Sequence, residues 1–263
     1  MNTKLKVLML AGILTTASSS FAGSNYLDNA GSVQADNDQV QNSIGIGYSY
    51  SQDIYEGIDN KTQPFPLLNL TYADFFIKGF TAGYYAYKDD SFSFALVAKP
   101  MFGGYDADDS DALKGMDDTS YLINTGVQAQ YRLMPFVFTV SGLHDVSGHT
   151  GGNTASAKFA AMIPLDDERF ALIPSISATW VSSDITQYYY GVSSSEATAS
   201  RPKYDASSAI NYGYGLTMKY QIAEHWGATL GYVLTQYADD ISDSPIVDRK
   251  YASSVLAGVS YLF

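Results

Sequence analysis

Between residues 210 and 222 (INYGYGLTMKYQI) the chain changes character at almost every step. Ile210, Tyr212, Tyr214, Leu216, Met218, Tyr220 and Ile222 share one face, and Asn211, Gly213, Gly215, Thr217, Lys219 and Gln221 share the other, which is the period-two pattern of a β-strand. After the break Ala223-Glu224-His225 the alternation resumes with Trp226, Ala228, Leu230, Tyr232 and Leu234, so the two runs predict a hairpin. Residues 121–133 (YLINTGVQAQYRL) repeat the pattern. Weaker versions occupy 43–51, 65–72, 75–87, 91–102, 136–146, 154–163 and 169–181, and with 249–263 these segments predict eleven strands. Most exceed the roughly 5–6 residues of a soluble strand and approach what a tilted membrane-crossing strand needs.

Which face meets the core decides the fold class. In a soluble sandwich or lipocalin-like barrel the apolar face points inward and the outside is charged. Here the polar face carries Gly, Ser, Thr, Asn and Gln with few charges, which suits the interior of a membrane barrel better than a solvent surface. Aromatic residues gather at strand ends: Tyr131, Phe136, Tyr220, Trp226, Tyr261 and Phe263 beside short breaks, and Trp180, Tyr188, Tyr204, Tyr212, Tyr237 and Tyr251 beside long ones. Two such girdles, with short turns alternating with long polar loops, predict an all-β, closed antiparallel transmembrane barrel. A closed single-chain barrel of this kind needs an even strand number, so the eleven segments predict twelve strands, with ten as the alternative. Counting back from Phe263 places 103–118 outside, but it also places 52–62 on the periplasmic side and the Ala73-Asp74 turn outside.

The chain start adds a destination. MNTKLKVLMLAGILTTASSSFA has Lys4 and Lys6, an apolar run over 7–14 and a small-x-small ending, which reads as a secretory signal peptide cut after Ala22. The expected organisation is a signal peptide at 1–22, an N-terminal periplasmic segment at 23–42 and the barrel at 43–263. Net charge is −12, and removal of Lys4 and Lys6 makes the mature chain more acidic still. That balance argues against a nucleic-acid partner. With no cysteine in the chain, disulfides, thiolate metal sites and thiol catalysis are excluded.

Candidate chemistry is sparse. HDVSGHTGGN (144–153) brings His149, Asp145 and Ser147 near one another, the residue types of acyl transfer, but equally a polar external turn in which glycines supply positive φ. DADDSDALKGMDD (106–118) offers Asp106, Asp108 and Asp111 as weak candidate cation ligands, without the glycine and glutamate positions of a calcium loop. The plainer reading is a solvated acidic loop facing lipopolysaccharide phosphates through divalent ions. Asn124, Gln128, Gln130, Arg132, Asn211, Lys219 and Gln221 are expected to face the lumen. They would line a narrow pore or fill a closed interior with hydrogen bonds.

The terminal YASSVLAGVSYLF completes the pattern, with Val259, Tyr261 and Phe263 alternating up to the last residue. A last strand of this kind resembles the signal read by the barrel-assembly machinery. FPLLNLTYADFFIKG (65–79), SDALKGMDD (110–118), QYYYGV (187–192), SPIVD (244–248) and the final VSYLF stand in the order and spacing of the MipA/OmpV family. This resemblance implies an outer-membrane barrel without enzymatic activity, catalytic residues or cofactor. One branch of that family is regarded as a scaffold joining a murein hydrolase (a lytic transglycosylase) to a murein synthase (a bifunctional penicillin-binding protein). Another is linked to adhesion at the cell surface. The more acidic 106–118 loop departs from the scaffold branch.

Overall fold

The computed structural model describes residues 42–165 and 169–263. Among them, thirteen strands form one antiparallel sheet: β1 (Ser43–Ser51), β2 (Lys61–Tyr72), β3 (Phe75–Lys78), β4 (Thr81–Lys88), β5 (Phe92–Met101), β6 (Leu122–Leu133), β7 (Phe136–Asp145), β8 (Asn153–Ala161), β9 (Ile163–Leu165), β10 (Phe170–Val181), β11 (Ala209–Ala223), β12 (Trp226–Gln236) and β13 (Tyr251–Leu262). β1 pairs with β13 from Ser43↔Leu262 to Ser51↔Ser254, so the sheet closes on itself into a ring. β8 and β9 both pair with β10 and are separated only by Met162, so β9 is a short extra piece and the circuit has twelve strands. The expected signal peptide and most of the 23–42 segment lie outside the described residues.

The twelfth strand was hidden in the 75–87 run, which is two strands rather than one. Lys78 pairs with Thr81 across a two-residue turn, Gly79-Phe80, in which Gly79 has φ +57°. Positive φ at the first central position of a hairpin is nearly free only for glycine. The turn also reverses every strand before it, so 52–60 lies on the same side as the other long loops and Ala73-Asp74 joins the short turns. This corrects the sidedness expected for both. Because β3 has only four residues, the wall is cut low here: β2 continues above Asn69 and β5 above Ala98 without a partner on that side. Phe80 and Phe102, in edge contact at 5.0 Å, pack with Phe65 and Leu67 beside the cut.

Side chains alternate as a membrane barrel requires. Along β1, Ile44, Ile46, Tyr48 and Tyr50 are exposed while Gly47, Ser49 and Ser51 are buried; along β12, Leu230 and Tyr232 are exposed while Gly231 and Val233 are buried. In water, so many exposed large hydrophobics would be an aggregation liability; against hydrocarbon they are the stabilising face. The inner girdle consists of exposed Tyr131, Phe136, Tyr220, Trp226, Tyr261 and Phe263. Of the outer set, Trp180, Tyr212 and Tyr251 are exposed, whereas Tyr237 is buried and Tyr188 and Tyr204 are half-buried within the loops. The expectation that these three belong to the lipid-facing belt is therefore corrected. No described helix is long and apolar enough to cross a membrane.

Candidate functional site: a folded cap and a basic lumen

Four long loops leave the outer rim, and all four fold onto one another. The first (52–60) inserts Ile54 and Tyr55, the second (102–121) inserts Tyr105, Leu113 and Met116, the third (182–208) carries helix α1 (Ser183–Tyr190), and the fourth (237–250) carries the one-turn helix α2 (Asp239–Ser242). Tyr55, Tyr105, Leu113, Met116, Val192 and Ile246 form one apolar cluster above the barrel, and Leu122, Val181, Ile185 and Tyr189 form another at the rim. Tyr55 is the centre. Its ring meets Tyr105 edge-on at 4.7 Å and stacks with Tyr190 at 5.8 Å, and its hydroxyl donates to the Tyr189 carbonyl at 3.2 Å. Burial raises the phenol pKa values of Tyr55, Tyr105, Tyr189 and Tyr190, so these rings stay neutral at physiological pH.

Polar clamps fix the loops to one another. Arg201, only 6% exposed, donates to the carbonyls of Ala112 (2.5 Å), Lys114 (3.2 Å) and Glu196 (2.8 and 3.3 Å). Glu196 accepts from the backbone N–H groups of Asp117 at 2.9 Å and Ser193 at 2.8 Å. Desolvation opposes its charge, but these hydrogen bonds and Arg201 outweigh it and hold its pKa below the usual carboxylate value. Ser110 donates to the Glu56 carbonyl at 2.7 Å, Ser244 donates to that of Tyr190 at 2.6 Å, and Tyr55 bridges Val247 in a short antiparallel pair. The 106–118 segment is therefore a docked element. Leu113 and Met116 anchor it, and Asp106, Asp108, Asp109, Asp111, Asp117 and Asp118 form its exposed surface. Asp111 pairs with Lys114 at 2.5 Å, and Asp106 with Asp109 forms a capping box on the 3-10 turn 107–109. The described residues hold no group of three side chains suited to a metal ion.

The His-Asp-Ser cluster is organised as a loop rather than a relay. Asp145 accepts from Ser147 (backbone 2.8 Å, hydroxyl 2.5 Å), Thr150 (backbone 2.9 Å, hydroxyl 2.8 Å) and the Gly151 N–H (3.1 Å). His149 stacks on Tyr188 at 5.8 Å, and neither Asp145 nor Ser147 is among its hydrogen-bond partners. The Ser147 hydroxyl is committed to the Asp145 carboxylate and not to His149, which is not the Ser-His-Asp order of an acyl-transfer relay.

The strands carry Lys61, Lys78, Lys88, Lys99, Arg132, Lys158 and Lys219, but only one carboxylate, Asp145 at the outer rim. Burial alternation puts all of these basic groups except the exposed Lys88 on the inner face. Lys61 is paired at the outer rim with Asp53 and Asp109, both at 3.7 Å. Asn124 is 2% exposed beneath the rim; Gln128, Gln130 and Arg132 follow it down β6, opposite in parity to exposed Val127, Tyr131 and Leu133. Gln130 donates to Thr139 at 3.3 Å, and Arg132 reaches the Asp89 carbonyl at 3.1 Å at the inner rim. On β11, Asn211 accepts from the Ala238 N–H at 3.0 Å at the top, Lys219 is half-buried lower down, and Gln221 reaches the Glu224 carbonyl at 3.3 Å in the turn. Val259, Tyr261 and Phe263 are exposed on the outer face; Tyr261 packs against Trp226 at 5.4 Å and Phe263 at 6.4 Å, and the Phe263 N–H donates to the Asn42 carbonyl at 2.9 Å.

Pattern reasoning did not find the cap tyrosines, Arg201 or the inner lysines on the weaker strands. The lysines did leave a signal, since Lys78, Lys99 and Lys158 are isolated cations within apolar runs.

The chain is similar to several known proteins. The chain is 27% identical over 84% of its length, and 90% of the relative's, to a putative outer membrane protein YiaT of Escherichia coli K12. It is 31% identical to the outer membrane protein OmpV of Vibrio cholerae, over 60% of this chain and 61% of that one. The MltA-interacting protein of E. coli K12 matches at 24% identity over 99% of this chain and all of its own. Among solved structures, a NanC porin superposes with a TM-score of 0.47 at 10% identity, covering 84% of this chain and 98% of that one. The family described as MltA-interacting protein MipA matches residues 44–263, and the chain belongs to that family of outer-membrane β-barrels.

Proposed function

We propose that the protein is a non-enzymatic scaffold of the outer membrane, which holds a murein-remodelling enzyme close to the membrane from the periplasmic side. The observation that carries this reading is the packed cap. Four loops with a shared apolar core fold together at the outer mouth, which disfavours a simple diffusion pore and favours a role in contact with other macromolecules. The full-length match to a relative named for interaction with MltA supports a murein hydrolase as the partner. Asp145, tied up in its own loop, supports the absence of hydrolase chemistry.

Site-directed photocrosslinking from the periplasmic turns, at Asp74, Asp90 and Glu224, tests the proposal in intact envelopes. Recovery of a lytic transglycosylase is the expected result. Crosslinks to lipid alone at all three positions would overturn it. A second reading, a surface adhesin, draws on the rigid acidic face of 106–118, whose aspartates are presented outward by the buried Leu113 and Met116. Under that reading, crosslinks would form from Asp108 to host ligands instead.

A further inference from the structure

The chain as a whole is strongly acidic, yet its transmembrane wall is basic inside. Carboxylates are confined to loops and turns, with Asp145 the single one in a described strand, and that group is already held by Ser147, Thr150 and Gly151 at the outer rim. Below the rim, Lys78, Lys158 and Lys219 lie on the inner face at middle and lower depth. β3 stands five strands from both β8 and β11 in a circuit of twelve, so Lys78 comes from the wall nearly opposite the other two. Lys78 and Lys219 therefore face one another across the lumen, and like charges placed on facing walls favour a negative charge between them.

The wall around Lys78 is furnished for the same ligand chemistry. Its ammonium is 3.0 Å from the Tyr85 hydroxyl, and its register partner Thr81, 2% exposed, has a hydroxyl oxygen with no protein partner. Asn124, also 2% exposed, likewise has an unpaired side-chain oxygen. Buried polar atoms of this kind are normally satisfied by water or ligand, so the inner face is built for polar contents and not for dry packing. A cleft lined by one sign of charge with low-dielectric walls concentrates the opposite ion.

We propose that the lumen is a binding chamber for an oxyanion, a carboxylate- or phosphate-bearing solute, seated between Lys78 with Thr81 on one wall and Lys158 and Lys219 on the other. The cap closes the outer mouth, so the anion enters from the periplasm. The proposal is independent of the scaffold reading.

The test uses the full mature chain refolded in neutral detergent. Calorimetric titration with citrate and with pyrophosphate separates a carboxylate ligand from a phosphate ligand, and the polycation spermine is the control. Wild type is expected to bind at least one anion in the micromolar to millimolar range and not spermine. Binding should weaken with added salt and by about tenfold or more in Lys78→Met/Lys219→Met, since each lost close charge pair is worth roughly a decade or more. No heat from either anion, equal binding of spermine, or an unchanged double variant would overturn the proposal. Reductive methylation of wild type, read by mass spectrometry, guards against a variant that fails to fold. The bound anion should shield Lys78, Lys158 and Lys219 but not the exposed Lys114 and Lys203, and equal labelling with and without anion would also overturn the inference.

Discussion

Removing the Arg201 guanidinium should open the cap and leave the barrel standing. Its nitrogens serve three carbonyls on two segments, and the side chain is nearly inaccessible, so Arg201→Ala strands the oxygens of Ala112, Lys114 and Glu196 without their donor. A hydrogen bond to a charged group contributes about 1.5–3 kcal/mol, and a stranded buried acceptor costs about 1–3 kcal/mol. These figures do not add, because water reaches the opened site and the bonds share one donor group. A net loss of about 3 kcal/mol is the reasonable size, which corresponds to roughly a hundredfold rise in the open population of the cap. The loss should stay local. No Arg201 hydrogen bond reaches a strand, and the barrel is closed by its own ladder from β1 to β13. Hydrogen exchange should show protection falling about a hundredfold over 104–119 and 192–204, with the strands unchanged and the heat-modified gel shift intact. Protease should cut first within 106–118. Unchanged exchange in these loops would refute the clamp, and parallel loss of protection in β6 and β11 would refute the separation of cap from barrel.

Alkaline pH should loosen the cap by a different route. The phenols of Tyr55, Tyr105, Tyr189 and Tyr190 have pKa values raised by burial, so their contribution to stability is complete below the ordinary tyrosine pKa near 10 and is lost as pH rises above it, when the opened cap ionises first. Tyrosinate absorbance should show a late, cooperative phase coinciding with protease sensitivity of the loops, and a single non-cooperative phase near pH 10 would contradict this. Gly79→Val places a β-branched residue at φ +57° in the β3–β4 turn and should cost about 1–2 kcal/mol, seen as a lower denaturant midpoint in refolded protein; an unchanged midpoint would mean the turn relaxes freely. Phe263→Asp should reduce delivery to the outer membrane and leave export intact, because it breaks the apolar alternation of Val259, Tyr261 and Phe263 at an interface where a charge costs only about 0–1 kcal/mol in the finished barrel. Normal outer-membrane levels of that variant would show that the terminal pattern is ordinary strand alternation.

The barrel was legible because its signal repeats: each crossing writes the same alternation, and the last one runs to Phe263. The β3–β4 hairpin was not, because aromatics stand on both faces of it. Phe76 and Tyr85 meet inside at 4.5 Å while Phe75 and Tyr84 meet outside at 5.0 Å, so either parity reads as apolar and the reversal at Gly79 leaves no break in the pattern. The even-strand requirement betrayed it, as did the sidedness of 52–62 and of Ala73-Asp74 when counted back from Phe263. The cap was illegible for another reason. Its core is assembled from aromatics far apart in the chain, Tyr55, Tyr105 and the Tyr189-Tyr190 pair, set in segments that are otherwise polar, and no period links them. The lumen falls between these cases. Once parity is known, each strand lysine declares its face, but parity alone says nothing about which lysines meet. That depends on the circuit, and the circuit depends on the hairpin. A chain read as eleven strands places Lys78 on a single long strand and leaves the sheet open, whereas the turn at Gly79 closes the twelve-strand ring and brings Lys78 opposite Lys158 and Lys219. The same glycine that corrects the topology therefore sets Lys78 on the wall nearly opposite Lys158 and Lys219.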